Sequence, residues 1–268
     1  MSVLLTLLHS IKGGAVVVVY DKKQYNAAMK KPRTHREEKL DILYEDPSLI
    51  VINKPSGLLS VPYPGSSART AADILERIMR SKGAYSKHHR PFAVHRLDRD
   101  TSGVMLFALN ERTKDEFMRS WHTLVTERIY RAVAENPAEG GLADSGIIDA
   151  PLAYNAYNRA FVPTAEKHAH FDTVAARTRY KIIERGAAYT LFELSLDTGK
   201  KNQIRAHLAA NGYPIAGDPI GHARTDPFGR LALHARSLAF THPVTRKVMR
   251  FEVPEPEAWL AYIRFNRR

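Results

Sequence analysis

Six consecutive residues of this chain, His95-Arg96-Leu97-Asp98-Arg99-Asp100, bring together an imidazole, two guanidiniums and two carboxylates, and Thr101-Ser102-Gly103 complete the run. A carboxylate can serve as a covalent nucleophile, and a guanidinium can balance its charge. The run lies between apolar Phe92-Ala93-Val94 and the segment Val104-Met105-Leu106-Phe107-Ala108-Leu109, which reads as a buried strand. Charged groups brought to a core cost free energy unless they are paired, so this placement marks a candidate site. Local spacing alone fits a second reading equally: Asp98 and Asp100 cap a turn while Arg96 and Arg99 are solvated.

The elements that must position this run are strands with a few helices. Leu49 to Asn53 reads as a strand that ends at the turn Lys54-Pro55-Ser56-Gly57. Ala71 to Lys82 is expected to be helical: Thr70 can cap it, Ile74, Leu75, Ile78 and Met79 form one apolar face, and Gly83 can end it. A second helix is expected after Asn110, burying Phe117 and Trp121, and a third from about Asn202 to Ala210, stopped by Asn211-Gly212 and Pro214. Ile129 to Val133, Tyr180 to Ile183 and Tyr189 to Leu196 read as strands. Strands outnumber helices and often follow one another, so the expected class is α+β, with a largely antiparallel mixed sheet and flanking helices. No glycine-rich nucleotide-binding loop follows any strand.

Composition narrows the partners. Forty Lys and Arg stand against 28 Asp and Glu, a net charge of +12 over 268 residues. Nucleic acid is the leading polyanion, because counterion release rewards many phosphate contacts. The chain has no cysteine, which excludes disulfides, thiolate nucleophiles and Cys-ligated metal sites and fits a reducing cytoplasm. Leu4, Leu5, Leu7 and Leu8 lack a basic flank, and Lys12 interrupts the apolar run, so no secretory signal is expected. The run Ala15 to Tyr20 is too short to span a bilayer, and no membrane association is expected. His88-His89 and His168-Ala169-His170 lack a third ligand at a known spacing, so no metal is expected. Residues 1–39 read as a short strand, Gly13 to Tyr20, followed by a basic extension that includes Lys30-Lys31-Pro32-Arg33-Thr34-His35-Arg36.

Four segments stand in order: Asn53-Lys54-Pro55-Ser56-Gly57-Leu58-Leu59, the His95-to-Gly103 run, Arg128-Ile129-Tyr130-Arg131-Ala132, and Thr198-Gly199-Lys200-Lys201-Asn202-Gln203-Ile204-Arg205-Ala206-His207-Leu208. Gly212 to Asp218 and Leu231 to Ala235 follow. In this order and spacing the chain resembles the RluA-type family of pseudouridine synthases, over about Leu40 to Pro254. The resemblance implies a catalytic domain over residues 40–268 that isomerises uridine in ribosomal or transfer RNA with no cofactor or metal. A monomer is expected.

The resemblance also implies roles. Asp98 matches the family's catalytic aspartate, and Arg205 the arginine that pairs with it; a neighbouring guanidinium favours the charged form of a carboxylate. Tyr130 matches the tyrosine that stacks on the target base; an unperturbed phenol titrates near about 10 and is a poor base. Arg96 matches the residue that fills the gap left by a flipped base. His95 is expected to orient the loop through hydrogen bonds, and Lys54 to support the pocket or a phosphate. Arg128 stands where the family commonly has Lys, and Lys201-Asn202 where it has Thr-His, so an altered RNA contact is expected there. A binding module without chemistry would have lost the nucleophile or its cation, and both are present. A glycosidase would need a second carboxylate flanking the bond and a sugar site richer in Trp than this chain, which has two Trp residues.

Overall fold

The computed structural model describes residues 8–11, 15–19, 40–168 and 170–265. The basic stretch Lys30 to Arg36 lies outside the described residues. Within the span expected to form one catalytic domain, the chain makes two compact units. One comprises Met1–Arg128 and Ala235–Pro254, the other Ile129–His234 and Glu255–Arg268.

The first unit is built around the strand Leu49–Lys54, every residue of which is buried. It pairs antiparallel with Asp41–Glu45 on one side and with Ser102–Ala108 on the other. Ser102–Ala108 is also buried throughout and takes Phe92–Ala93 as a further antiparallel partner. Strands covered on both faces are expected to lose the alternation of polar and apolar residues, as these two have. The Ser237–Thr241 segment of the strand Leu233–Thr241 pairs antiparallel with Val248–Glu252, which pairs in parallel with Ala15–Val19. That parallel pair makes the sheet mixed. Leu49, Val51, Leu106, Phe117, Phe240 and Phe251 meet in the core of this unit.

Two helices flank this sheet. Ala71–Ser81 opens on a capping box: the Thr70 hydroxyl accepts from Asp73 N–H and the Asp73 carboxylate accepts from Thr70 N–H. It buries Ala71, Ile74, Leu75 and Met79, while Ile78 is only half-buried. Glu111–Leu124 is capped by the Asn110 side chain, which accepts from Thr113 N–H. Phe117 is fully buried there, but Trp121 is half-buried rather than a core residue.

In the second unit, antiparallel pairing joins Ser145–Asp149 to Arg177–Arg185, then to Tyr189–Leu196, then to the Ile129–Glu135 part of Val125–Glu135. Arg177–Arg185 alternates exposed and covered residues, as a strand with one solvated face should. Helices Gln203–Ala210 and Glu257–Phe265 belong to this unit, and Trp259, Phe192, Tyr213 and Leu208 meet in its core. Ala153–Tyr154 and Ala160–Phe161 form a separate two-stranded hairpin. Both units thus combine predominantly antiparallel strands with flanking helices, the expected class.

The turn after Asp41–Glu45 depends on Asp46. Its carboxylate accepts from the N–H groups of Ser48 and Leu49, from the Tyr44 hydroxyl and from His242 Nε2. His242 Nδ1 accepts from the N–H groups of Val244 and Thr245, so Nε2 carries the proton given to Asp46. Burial alone would raise the Asp46 pKa, but these hydrogen bonds, that of His242 foremost, bring it down to about 2 from 3.8. The folded value lies below the unfolded one, so the contribution is complete above pH 3.8 and is lost as pH falls through 2. Asp46→Ala should therefore destabilise the protein at neutral pH by about 1–2 kcal/mol. Equilibrium denaturation at intervals from neutral to strongly acid pH should show that difference shrinking; a constant difference at every pH would contradict it.

Candidate active site

The charged run forms a turn held in large part through its backbone. Thr101 N–H donates to Asp98 O at 3.1 Å, and further bonds to the turn come from residues 54–60. The Ser60 hydroxyl donates to Leu97 O at 2.6 Å and accepts from Leu97 N–H at 3.1 Å. The Ser56 hydroxyl donates to Asp100 O at 2.7 Å, and Gly57 N–H donates to Arg99 O at 2.9 Å. Gly57 has a φ of +85°, a conformation open to glycine, and the turn Pro55-Ser56-Gly57 supplies it.

Lys54 joins these two loops. It is fully buried, and Nζ donates to Leu58 O at 2.7 Å, Arg99 O at 2.9 Å and Pro55 O at 3.0 Å. An ammonium has three protons, and all three are spent on carbonyls. Lys54 thus pins backbone on both loops, with these three hydrogen bonds all going to carbonyls. Opposite Lys54 in the ladder stands Gly103, with φ +115°. A Cβ at Gly103 would collide with the backbone of Ala235, so the last residue of the run has to be glycine.

With the backbone fixed, the side chains of the turn divide. Leu97 is buried; Asp98 is half-buried; Arg96 is exposed. Exposed Arg99 reaches Asp100 through Nε and Nη2, at 2.9 and 3.1 Å, a surface pair rather than a reactive one. His95 sits at the root of the turn. Its Nε2 accepts from Leu106 N–H at 3.0 Å, and its ring lies 5.3 Å from that of Trp121. The Arg128 guanidinium stands 6.0 Å from the same indole. The residue keeps some exposure, yet its ring is enclosed, and burial first, then the Arg128 charge, push its pKa down to about 3. His95 is thus neutral across the physiological range and acts as a hydrogen-bond acceptor that ties the turn to its strand.

The second unit holds the remaining residues. Tyr130 is half-buried on the strand Val125–Glu135, opposite Leu194. Lys201 is exposed, whereas Asn202 is buried in the left-handed conformation, φ 54°, immediately before the helix Gln203–Ala210. Gln203 secures that helix start: its carbonyl accepts from the Thr198 hydroxyl and Lys200 N–H, and its amide donates to Arg177 O and the Thr178 hydroxyl. The Thr178 hydroxyl then serves His207 Nδ1 at 2.9 Å, while His207 Nε2 donates to Ala150 O at 2.9 Å. Burial lowers the His207 pKa, which suits a neutral ring with one donor and one acceptor nitrogen.

Arg205, on the buried face of this helix, meets a residue that the sequence analysis did not single out. Its Nε and Nη2 donate to the two carboxylate oxygens of Asp218, at 2.8 and 2.5 Å, and Asp218 is completely buried. The same carboxylate accepts from Ile220 N–H. Two parallel N–H···O bonds fix the plane of a guanidinium as well as its position. The signal for Asp218 was its place in the Gly212-to-Asp218 segment; nothing local linked it to Arg205. Ser60 was missed as well, since a serine after an apolar pair carries no such signal. Among the described residues, no group of three or more His, Asp or Glu side chains could hold a metal ion, and no helix is long and apolar enough to cross a membrane.

The family model described as RNA pseudouridylate synthase matches residues 48–210. The protein called uncharacterized RNA pseudouridine synthase YlyB, from Bacillus subtilis, is 35% identical over 219 residues, covering 81% of this chain and 70% of its own. The dual-specificity RNA pseudouridine synthase RluA of Vibrio vulnificus is 33% identical over 222 residues, covering 80% of this chain and 82% of its own. The ribosomal large subunit pseudouridine synthase D of Nitrosomonas europaea is 33% identical over 233 residues; the match spans 84% of this chain but only 64% of that protein. Among solved structures, human RNA pseudouridylate synthase domain containing 1 superposes with a TM-score of 0.66 at 20% identity, covering 84% of this chain and 86% of that one, a likeness of fold.

The pinning by Lys54 is directly testable. Lys54→Met keeps the length of the side chain and removes all three donors, leaving carbonyls on both loops unsatisfied. It should destabilise the protein by about 3 kcal/mol or more. Urea denaturation reads the difference, and a loss within experimental error would show that the ammonium holds nothing.

Proposed function

The chain belongs to the RNA pseudouridylate synthase family, and from that membership we propose that it isomerises uridine in a structured ribosomal or transfer RNA, with Asp98 as the nucleophile. In this reaction the bond from a uracil nitrogen to the ribose breaks and a bond from a uracil carbon replaces it. The carbon gives up a proton and the nitrogen gains one, so the nucleotide keeps its composition. The balance requires no oxidant, no group donor and no metal.

The observation that carries this reading is the single family match over residues 48–210, which takes in both the Asp98 turn and the Arg205 helix. A half-buried carboxylate on a turn pinned at Leu97, Arg99 and Asp100 suits a nucleophile that must form and later break a covalent bond without drifting. Arg205, oriented by Asp218, is the counter-ion, and Tyr130 the stacking partner of the flipped base. Exposed Arg96 is the side chain long and flat enough to occupy the gap the base leaves. His95 orients the turn, Arg128 and Lys201 contribute positive charge toward RNA, and buried Asn202 shapes the helix start beside Lys201. The names of the relatives point to large-subunit ribosomal RNA and to more than one RNA class. The net charge of +12 suits either substrate. On this reading the chain acts as a monomer in the cytoplasm.

Asp98→Asn nearly preserves volume but turns one accepting oxygen into a donor and removes the nucleophilic charge. It should fold, bind RNA with unchanged affinity and form no pseudouridine on unmodified transcripts of ribosomal and transfer RNA. Chemical mapping of pseudouridine, with wild type alongside, checks this. Turnover by the variant at the wild-type rate would remove Asp98 from the reaction.

A further inference from the structure

The hairpin Ala153–Tyr154/Ala160–Phe161 presents a feature that the uridine chemistry does not use. Its root is apolar: Leu152, Ala160 and Ala176 pack with Ala206, the residue that follows Arg205, on the helix Gln203–Ala210. Its tip is polar and rigid. Asn155 N–H donates to Arg159 O at 3.1 Å, and Asn158 N–H donates to Asn155 O at 2.8 Å. The Asn155 side-chain oxygen accepts from the N–H groups of Tyr157 and Arg159, at 3.0 and 3.1 Å, which closes the loop from inside. Asn158 takes the left-handed conformation, φ 56°, that an asparagine tolerates.

This scaffold holds Tyr157 at 78% exposure, far above the other described tyrosines except Tyr63 at 54%. The Arg159 guanidinium lies 5.6 Å from the centre of its ring, and Arg159 makes no ion pair among the described residues. From Ala150 to Ala165 the chain holds no acidic residue. A lone exposed tyrosine is ordinary on a protein surface. A flat aromatic face held out by four internal hydrogen bonds, with an adjacent cation and no acidic residue within the hairpin, has the composition of a platform for a nucleobase. Bases stack on aromatic rings whatever their sequence, and a neighbouring arginine adds cation–π and phosphate attraction. A tip already ordered loses little entropy on binding.

We propose that Tyr157 and Arg159 form an RNA contact outside the uridine site, on which an unpaired base flanking the target stacks. The contact rests on the RNA-isomerase reading, and it would let the hairpin that packs beside Arg205 select for a single-stranded neighbour of the modified nucleotide.

The test uses the full chain and a twelve-nucleotide oligoadenylate, which offers stackable bases but no uridine. Tyr157→Ala should weaken binding to it about fivefold or more, the lower end of base–aromatic stacking. Binding to a duplex RNA of the same length, whose bases are already stacked, should stay nearly constant, and Tyr157→Trp should restore affinity for the single strand. An exposed side chain contributes little to the fold, so thermal unfolding of Tyr157→Ala should match wild type. Unchanged affinity for oligoadenylate, an equal loss on the duplex, or no measurable wild-type binding to oligoadenylate would each overturn the proposal. Pseudouridine formation measured in parallel separates the two ideas. An active wild type whose oligoadenylate affinity ignores position 157 removes the platform alone. A Tyr157 effect in a protein that forms no pseudouridine removes the isomerase reading alone.

Discussion

One buried ammonium organises the turn that carries Asp98. Taking a lysine charge out of water is costly, and Lys54 meets that cost by giving each proton to a backbone carbonyl. Two of those carbonyls belong to its own loop and the third to Arg99, 45 positions along the chain. Ser56, Gly57 and Ser60 add their bonds around it, so the 97–100 backbone is held from one side by residues 54–60. The position of the 97–100 backbone is thereby set largely by main-chain contacts to residues 54–60. A reactive carboxylate on an unpinned loop would lose much of the advantage of fixed geometry.

The second unit solves the same problem with a different device. Arg205 is fixed by a carboxylate, and the helix beneath it by the chain Gln203–Thr178–His207–Ala150. A buried ion pair is seldom a large net source of stability, because desolvation consumes most of its attraction. Its value here is directional. Bidentate contact with Asp218 sets the plane of the guanidinium, and a polar network in which each nitrogen has one role keeps the helix from sliding. Burial lowers the pKa values of His207 and His95, so both serve as neutral imidazoles in these frames.

The division of labour among the arginines follows from burial. Arg205 is buried and paired with a carboxylate; Arg99 is exposed and satisfied by its neighbour; Arg96 and Arg159 are exposed cations on rigid turns. The large positive excess is therefore not spread evenly in function. A few guanidiniums are structural, and others stand where a polyanion could be met.

Much of this was legible in local sequence. The helix Ala71–Ser81 announced itself through Thr70, an apolar face at helical spacing and a closing glycine, because capping and periodicity are short-range physics. The strand Tyr189–Leu196 was read to its last residue for the same reason. The order of the motifs around Asp98, Tyr130 and Arg205 was enough to place the chain in a family. The destination of the Lys54 ammonium was not legible, nor was the bond between Arg205 and Asp218, nor the return of Ala235–Pro254 to the first unit. Those depend on which distant backbone arrives beside a given side chain, and residue types alone do not encode that distance. Sequence determined which groups could do chemistry; tertiary structure decided which of them are buried anchors and which stay nearer the surface, because a buried charge must be satisfied by whatever the fold brings within hydrogen-bonding reach.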